Sequence, residues 1–129
     1  KDGFLASTPG VEVDTAVQNL AQGLFSREGL FVLNLRGRGL VFLSSFGAIH
    51  SISLEAGEEV IIDNGHLVAW PDYMQYRIEK ASNGRVSSVI SGECPVCRFT
   101  GPGGILIQTR KPEAFSQWLQ GMLPPSRSS

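Results

Sequence analysis

The chain has 129 residues, 42% hydrophobic and 18% charged, with a net charge of −1, which fits one domain with a real core and excludes intrinsic disorder. The charge balance excludes a general attraction to nucleic acid or anionic lipid, and no apolar run approaches the length of a membrane span. Two cysteines exclude a disulfide framework and make a reducing compartment the default.

Lys1-Asp2-Gly3 is neither an initiator methionine nor a signal or transit peptide, so the start reads as a point inside a longer protein. Residues 3–6 are a short apolar segment, and Ser7-Thr8-Pro9-Gly10 is a strong turn signal. Val11, Val13 and Ala16 alternate with Glu12 and Asp14, as in a half-buried strand. Residues 15–23 read as a loop or one helical turn. Residues 30–36 carry apolar side chains on both faces, which predicts a strand covered on both sides. Gly37-Arg38-Gly39 then makes a tight turn into an apolar strand over 40–44.

Residues 48–54 alternate, with Ile49, Ile52 and Leu54 apolar and His50, Ser51 and Ser53 between them. Ala56-Gly57-Glu58 is a turn, 59–63 a β-branched strand, and Asn64-Gly65 the strongest short hairpin signal in the chain. The return strand is 66–70, stopped by Pro71-Asp72. A strand over 74–79, a second hairpin turn at Asn83-Gly84, and strands over 86–90, 96–100 and 105–109 complete the β pattern. One helix begins at Pro112, preorganised for the first helical position, with Glu113 favourably placed in the first turn. Phe115, Trp118, Leu119 and Met122 form one apolar stripe, expected to dock on the sheet or, alternatively, to contact another protomer. Pro124-Pro125 stops the helix, and 124–129 reads as a flexible tail after a single domain over 1–123.

A weak internal repeat runs through this pattern. Ser26-Arg27-Glu28-Gly29, a strand and Gly37-Arg38-Gly39-Leu40-Val41-Phe42-Leu43 parallel Ser91-Gly92-Glu93, a strand and Gly101-Pro102-Gly103-Gly104-Ile105-Leu106-Ile107. The offset is 64 positions at the glycine turn and 65 at the glutamate, which suggests a duplicated sheet unit with one residue of slippage.

Little in the chain resembles a catalytic constellation. Cys94-Pro95-Val96-Cys97 has redox spacing but no following helix to lower a thiol pKa, and on a strand the two sulfurs face opposite sides; structural thiols are expected. A second C-x-x-C or paired histidines, as a zinc site needs, are missing. His50, Glu55 and His66 fill part of a cupin-like metal order, but Ile52 stands where a second histidine is wanted. Gly-x-Ser-x-Gly is absent, and the glycine turns join strands to strands, without the helix N-terminus of a phosphate cradle. Arg36, Arg38, Arg98, Arg110 and Lys111 flank the equivalent glycine turns, where an oligomer could gather them into a basic rim for RNA; solvated turn charges are the plainer reading.

Several segments together resemble a known family. Phe4-Leu5-Ala6-Ser7-Thr8-Pro9-Gly10-Val11, Phe46-Gly47-Ala48-Ile49-His50, Asp63-Asn64-Gly65-His66-Leu67-Val68-Ala69-Trp70, Arg98-Phe99-Thr100-Gly101-Pro102-Gly103 and the closing Gln108-Thr109-Arg110-Lys111-Pro112-Glu113-Ala114-Phe115 are similar to the mitochondrial-biogenesis family named for altered inheritance of mitochondria. The resemblance implies an all-β fold like the tryptophan RNA-binding attenuation protein: a sandwich of antiparallel sheets, related to double-stranded β-helices, with this chain the C-terminal portion of a longer domain. It implies no enzymatic activity, no catalytic residue, no metal and no cofactor. The family's organellar members are associated with inner-membrane organisation, so a mitochondrial location is implied for a eukaryotic source and a cytoplasmic one for a bacterial source. Glu93-Cys94-Pro95-Val96 departs from the family's glycine and leucine after the glutamate.

The resulting expectation is a non-enzymatic, oligomer-forming β module for protein assembly or membrane-complex organisation. Its contacts would run through Arg36, Arg38, Arg98, Arg110 and Trp118. Self-association as a trimer or another homo-oligomer, protein partners and peripheral association with a membrane complex fit it; nucleic acid is not favoured. An RNA-binding ring and a cupin-like small-molecule or metal-binding domain are the alternatives.

Overall fold

A computed structural model describes residues 3–18, 30–80 and 95–124, and the chain divides into two compact units, Lys1–Ser45 and Phe46–Ser129. In the first unit, β1 (Phe4–Ser7) pairs antiparallel with β4 (Val41–Leu43), and β2 (Val11–Gln18) with β3 (Leu30–Gly37). The two pairs are one ribbon bent at a corner, where 8–10 and 38–40 run side by side. Thr8 N–H donates to Leu40 O at 3.0 Å, Leu40 N–H to Thr8 Oγ1 at 3.0 Å, and Arg38 N–H to Gly10 O at 3.1 Å. A Cβ on Gly10 would collide with the Arg38 carbonyl oxygen, so the close crossing of the two backbones requires glycine there.

The second unit elaborates the same device. β5 (Ile49–Leu54), β10 (Gly103–Gln108) and β7 (Leu67–Ala69) form one antiparallel sheet; β6 (Glu59–Asp63), β9 (Pro95–Thr100) and β8 (Gln75–Lys80) form another. Each strand of one sheet continues through a corner into the other: β5 into β6, β7 into β8, and β9 into β10. At the central corner Gly101 N–H donates to Glu58 O at 2.8 Å, and a Cβ on Gly101 would run into the Glu55 carbonyl oxygen.

The period of 2 sorts the side chains. The register aligns Val60, Phe99 and Tyr76, then Ile62, Cys97 and Ile78, on one face of β6-β9-β8; Glu59, Arg98, Thr100, Arg77 and Glu79 lie on the other. The apolar face makes the core. Phe99, Cys97 and Ile105 are fully buried, with Ile62 and Met74 beside them. Phe99 meets Trp70 edge-on at 5.4 Å and stacks with Tyr76 at 5.7 Å, favourable ring geometries both.

The two units share a plan. β1–β2–β3–β4 corresponds to β7–β8–β9–β10, each a strand, a corner, a strand, its antiparallel partner and a second corner. Even the irregularities match. Phe4 pairs with Leu43 and Ala6 with Phe42, skipping Leu5; Leu67 pairs with Ile107 and Ala69 with Leu106, skipping Val68. Phe4 and Leu67 are 63 positions apart and Leu43 and Ile107 are 64, so the paired strands of the two units differ by one position in offset. Gly39 and Gly103, also 64 apart, both hold positive φ, 156° and 149°. β5–β6 is the addition, laid along the outer edge of β10–β9.

The fold is the expected all-β class, with antiparallel sheets and, among the described residues, a single C-terminal helix, α1 (Pro112–Met122). Several local expectations change. Gly37–Gly39 is a corner between sheets, because β3 and β4 pair with different partners. Asn64-Gly65 makes no hairpin: Asn64–His66 is a turn of 3-10 helix, and β6 and β7 belong to different sheets. Asp63 Oδ1 accepts Gly65 N–H at 2.8 Å, and Gly65 lacks the positive φ that the tight hairpin turn demands. β2 continues as a strand through Gln18, where a loop or helical turn was expected. Ile49 lies opposite Gln108, on the face of Ser51 and Ser53, because Ile49 and Ile52 are an odd number of residues apart. The second half of the 15–23 segment, the Asn83-Gly84 hairpin, the 86–90 strand, Cys94, both glutamates of the repeat and residues 125–129 lie outside the described residues.

Candidate interaction surface

The helix is held at its start. Pro112 occupies the first turn with Glu113, while Lys111 at the N-cap makes no side-chain capping bond. Instead Lys111 Nζ reaches Asp63 Oδ2 at 2.6 Å, across 48 residues of sequence. Gln108 adds a second tie: its Oε1 accepts Phe46 N–H at 2.9 Å and its Nε2 donates to Gly65 O at 2.8 Å. His66 Nδ1 lies 2.8 Å from Gln108 O, and because a carbonyl only accepts, the proton is on Nδ1. This lock fixes the 64–66 turn, the end of β10 and the helix start together.

Beyond its first turn the helix is uncovered. Phe115 meets Phe46 edge-on at 5.5 Å and stacks on Trp118 at 5.9 Å, and there the ring contacts end. None of the helix's residues is buried; Trp118 is 58% exposed and Met122 64%, with Phe115, Leu119 and Leu123 similarly open. The expected docking of the stripe on the sheet is therefore not found. Periodicity specifies that a face is apolar, and only a neighbouring element decides whether it is covered. Five large apolar side chains on one short segment make an exposed patch of the kind that marks contact sites.

Two of the five basic residues, Arg98 and Lys111, are engaged by carboxylates. Arg98 Nε donates to Glu79 Oε1 at 2.9 Å and its Nη2 to Glu79 Oε2 at 3.3 Å, while Nη1 reaches Glu59 Oε2 at 3.4 Å. Arg98 thus ties β8, β9 and β6 across their outer face. The Arg98 hydrogen bond holds the Glu79 carboxyl below the usual carboxylate range and raises the Arg98 guanidinium in turn. Lys111 is engaged by Asp63. Arg36 and Arg38 are exposed beside the corner of the first unit, and Arg110 is exposed between β10 and the helix.

Cys97 is fully buried in the core, and burial, with a smaller contribution from Asp63, pushes its thiol up to about 11. Burial likewise raises the Tyr76 hydroxyl. His50 is exposed on β5 opposite Ile107, and Glu55 is exposed in the corner that follows. Among the described residues no group of three His, Cys, Asp or Glu side chains could hold a metal ion. No described helix is long and apolar enough to cross a membrane. Sequence reasoning missed Phe46, Asp63 and Gln108 as the residues that seat the helix; their only signals are a lone aromatic, an acid before Asn-Gly and a glutamine ending an apolar strand.

The model of the family described as mitochondrial biogenesis AIM24 matches residues 1–110. An uncharacterised protein of Streptococcus pyogenes serotype M6 is 37% identical over 124 residues, covering 95% of this chain and 49% of the relative. A crystal structure of a Streptococcus pyogenes protein aligns with a TM-score of 0.74 at 36% identity, covering 94% of this chain and 52% of that one. The chain therefore spans about half the length of these relatives. It belongs to the mitochondrial biogenesis AIM24 family.

Proposed function

We propose that this chain is a non-enzymatic, oligomer-forming β module that works through protein contacts, in protein assembly or the organisation of membrane complexes. The observation that carries the reading is the helix from Pro112 to Met122, which is anchored at one end and presents Phe115, Trp118, Leu119 and Met122 to solvent. A short helix with no buried residue gains little from propensity alone and is stabilised when its apolar face is covered. Two described groups that could carry chemistry are committed elsewhere. The Cys97 thiol is buried and hard to ionise, and Arg98 is spent on two carboxylates. The proposal extends to an assembly of the attenuation-protein kind, at the mitochondrial inner membrane in eukaryotes and in the cytoplasm in bacteria.

The test is solution mass by light scattering over a range of concentrations, for the native chain and for a Leu119→Glu variant. A multiple of the chain mass that collapses in the variant is expected. A single-chain mass for the native protein at every concentration sinks the reading.

A further inference from the structure

The first unit is a copy of β7–β10 that lacks one part. In the second unit β5–β6 lies along the outer edge of β10–β9; no described strand lies along the corresponding edge of β4–β3. The two places also differ in burial: Ile105 on β10 is fully buried, whereas its counterpart Val41 is 37% exposed and the adjacent Phe42 54%. Leu40 N–H and O and Ser44 N–H all face β1, so by alternation the Val41 and Leu43 amides point to the open edge. β4 itself carries none of the usual edge guards, being Val-Phe-Leu without charge, proline or bulge of its own.

We infer that the open edge of β4–β3 is a β-augmentation site for an extended strand–corner–strand segment, uncharged along β4 and acidic just past its corner. The inference rests on the reading of the chain as a contact-making module. The chemistry of the occupant follows from the copy. Along β10 the strand β5 sets Ser51 opposite Leu106 and Ile52 opposite Ile105, the counterparts of Phe42 and Val41. Past the corner, Val60 and Ile62 oppose Phe99 and Cys97, whose counterparts are Leu35 and Leu33. Glu59 opposes Thr100, whose counterpart is the exposed Arg36. Arg36 has Glu12 opposite it on β2, so an acid on the incoming segment would set it between carboxylates from both sides, as Arg98 lies between Glu79 and Glu59. Main-chain bonds supply the attraction, and the aliphatic–hydroxyl alternation and the acid supply the selection.

The probe is a synthetic peptide of residues 48–63, titrated into the whole chain and followed by amide hydrogen exchange. Binding is expected to slow exchange at Val41 and Leu43 by at least about tenfold. An Arg36→Glu chain should bind up to about fivefold more weakly, the range of a cross-strand ion pair. A Glu59→Lys peptide should lose the same on the native chain and recover it on Arg36→Glu. The inference is overturned if Val41 and Leu43 exchange unchanged, or if protection falls only on β9 and β10, where the peptide would be replacing β5–β6. Protection that rises with chain concentration and no peptide also overturns it, because a second copy then fills the edge. An oligomer whose β4 amides exchange freely ends this inference and leaves the proposed function standing; a monomer that binds the peptide does the reverse.

Discussion

Replacing Gly103 by alanine separates two costs that a glycine at a corner hides. Gly103 has φ 149°, a conformation L-residues rarely adopt, and a Cβ there would press on the Met74 methyl, itself in the core. Gly57 is the control: its φ is 84°, but nothing lies within 4 Å of an added Cβ. Gly57→Ala should therefore show conformational strain alone, about 1–2 kcal/mol. Gly103→Ala adds overpacking of about 1–3 kcal/mol, for a total of about 2–5 kcal/mol. The overlap is with the far end of one side chain, so a Met74→Ala background should remove it, and the two substitutions should be sub-additive by about 1–3 kcal/mol. Urea unfolding followed by tryptophan fluorescence measures this, because Trp70 and Trp118 both report on the second unit. Equal losses at Gly57 and Gly103, or strict additivity with Met74→Ala, would refute the assignment of the second cost to packing.

Phe99→Ala, which opens the ring cluster with Trp70 and Tyr76, should cost about 3–5 kcal/mol in the same assay; a loss under about 1 kcal/mol would mean the site collapses freely. Cys97 should resist thiol reagents in a native Cys94→Ser chain and react once urea is added, and prompt native labelling would contradict its burial. Because the folded thiol titrates at about 11 and the unfolded one lower, its contribution is intact below the ordinary thiol range and falls away as pH rises toward that value. Glu79 has the opposite sign: its carboxyl is lowered in the folded chain, so its contribution is present above the ordinary carboxylate value and lost as pH falls through the lowered one. Arg98→Met should flatten that acid limb of the stability curve, and an unchanged limb would show that Glu79 is not its source.

Local signals are legible where the physics is local. Pro112 and the Pro124-Pro125 pair bracketed the helix, and the β-branched run over 59–63 is β6 to the residue. The repeated glycine turns are the two corners, legible because crossing backbones admit no Cβ. What failed depended on distant partners. Asn64-Gly65 has the dipeptide of a hairpin, but Asp63 captures the Gly65 amide and turns the chain toward another sheet. Composition groups Ile49 with Ile52, while register assigns it to the other face. Arg98 looked like a free contact because its carboxylates arrive from 19 and 39 residues away. The helix stripe was visible, but whether it is covered is a property of the surroundings and not of the period.

The near-duplication makes a comparison that sequence composition cannot. Val41-Phe42-Leu43 and Ile105-Leu106-Ile107 are chemically alike and pair with similar strands through the same skipped residue. Their difference in exposure therefore comes from neither propensity nor hydrophobicity but from their surroundings, and a strand along the far edge is one difference between them. The same holds for the helix, whose first ring is seated on Phe46 and whose remaining stripe has the same chemistry without a seat. Apolar burial is worth roughly 25 cal/mol per Å², so an open strand edge and an uncovered helix face both favour association over isolation. On the two proposals above, the openings take different partners: the edge one selected by main-chain pairing and an acid for Arg36, the helix one selected by shape. A variant that loses one contact should therefore keep the other.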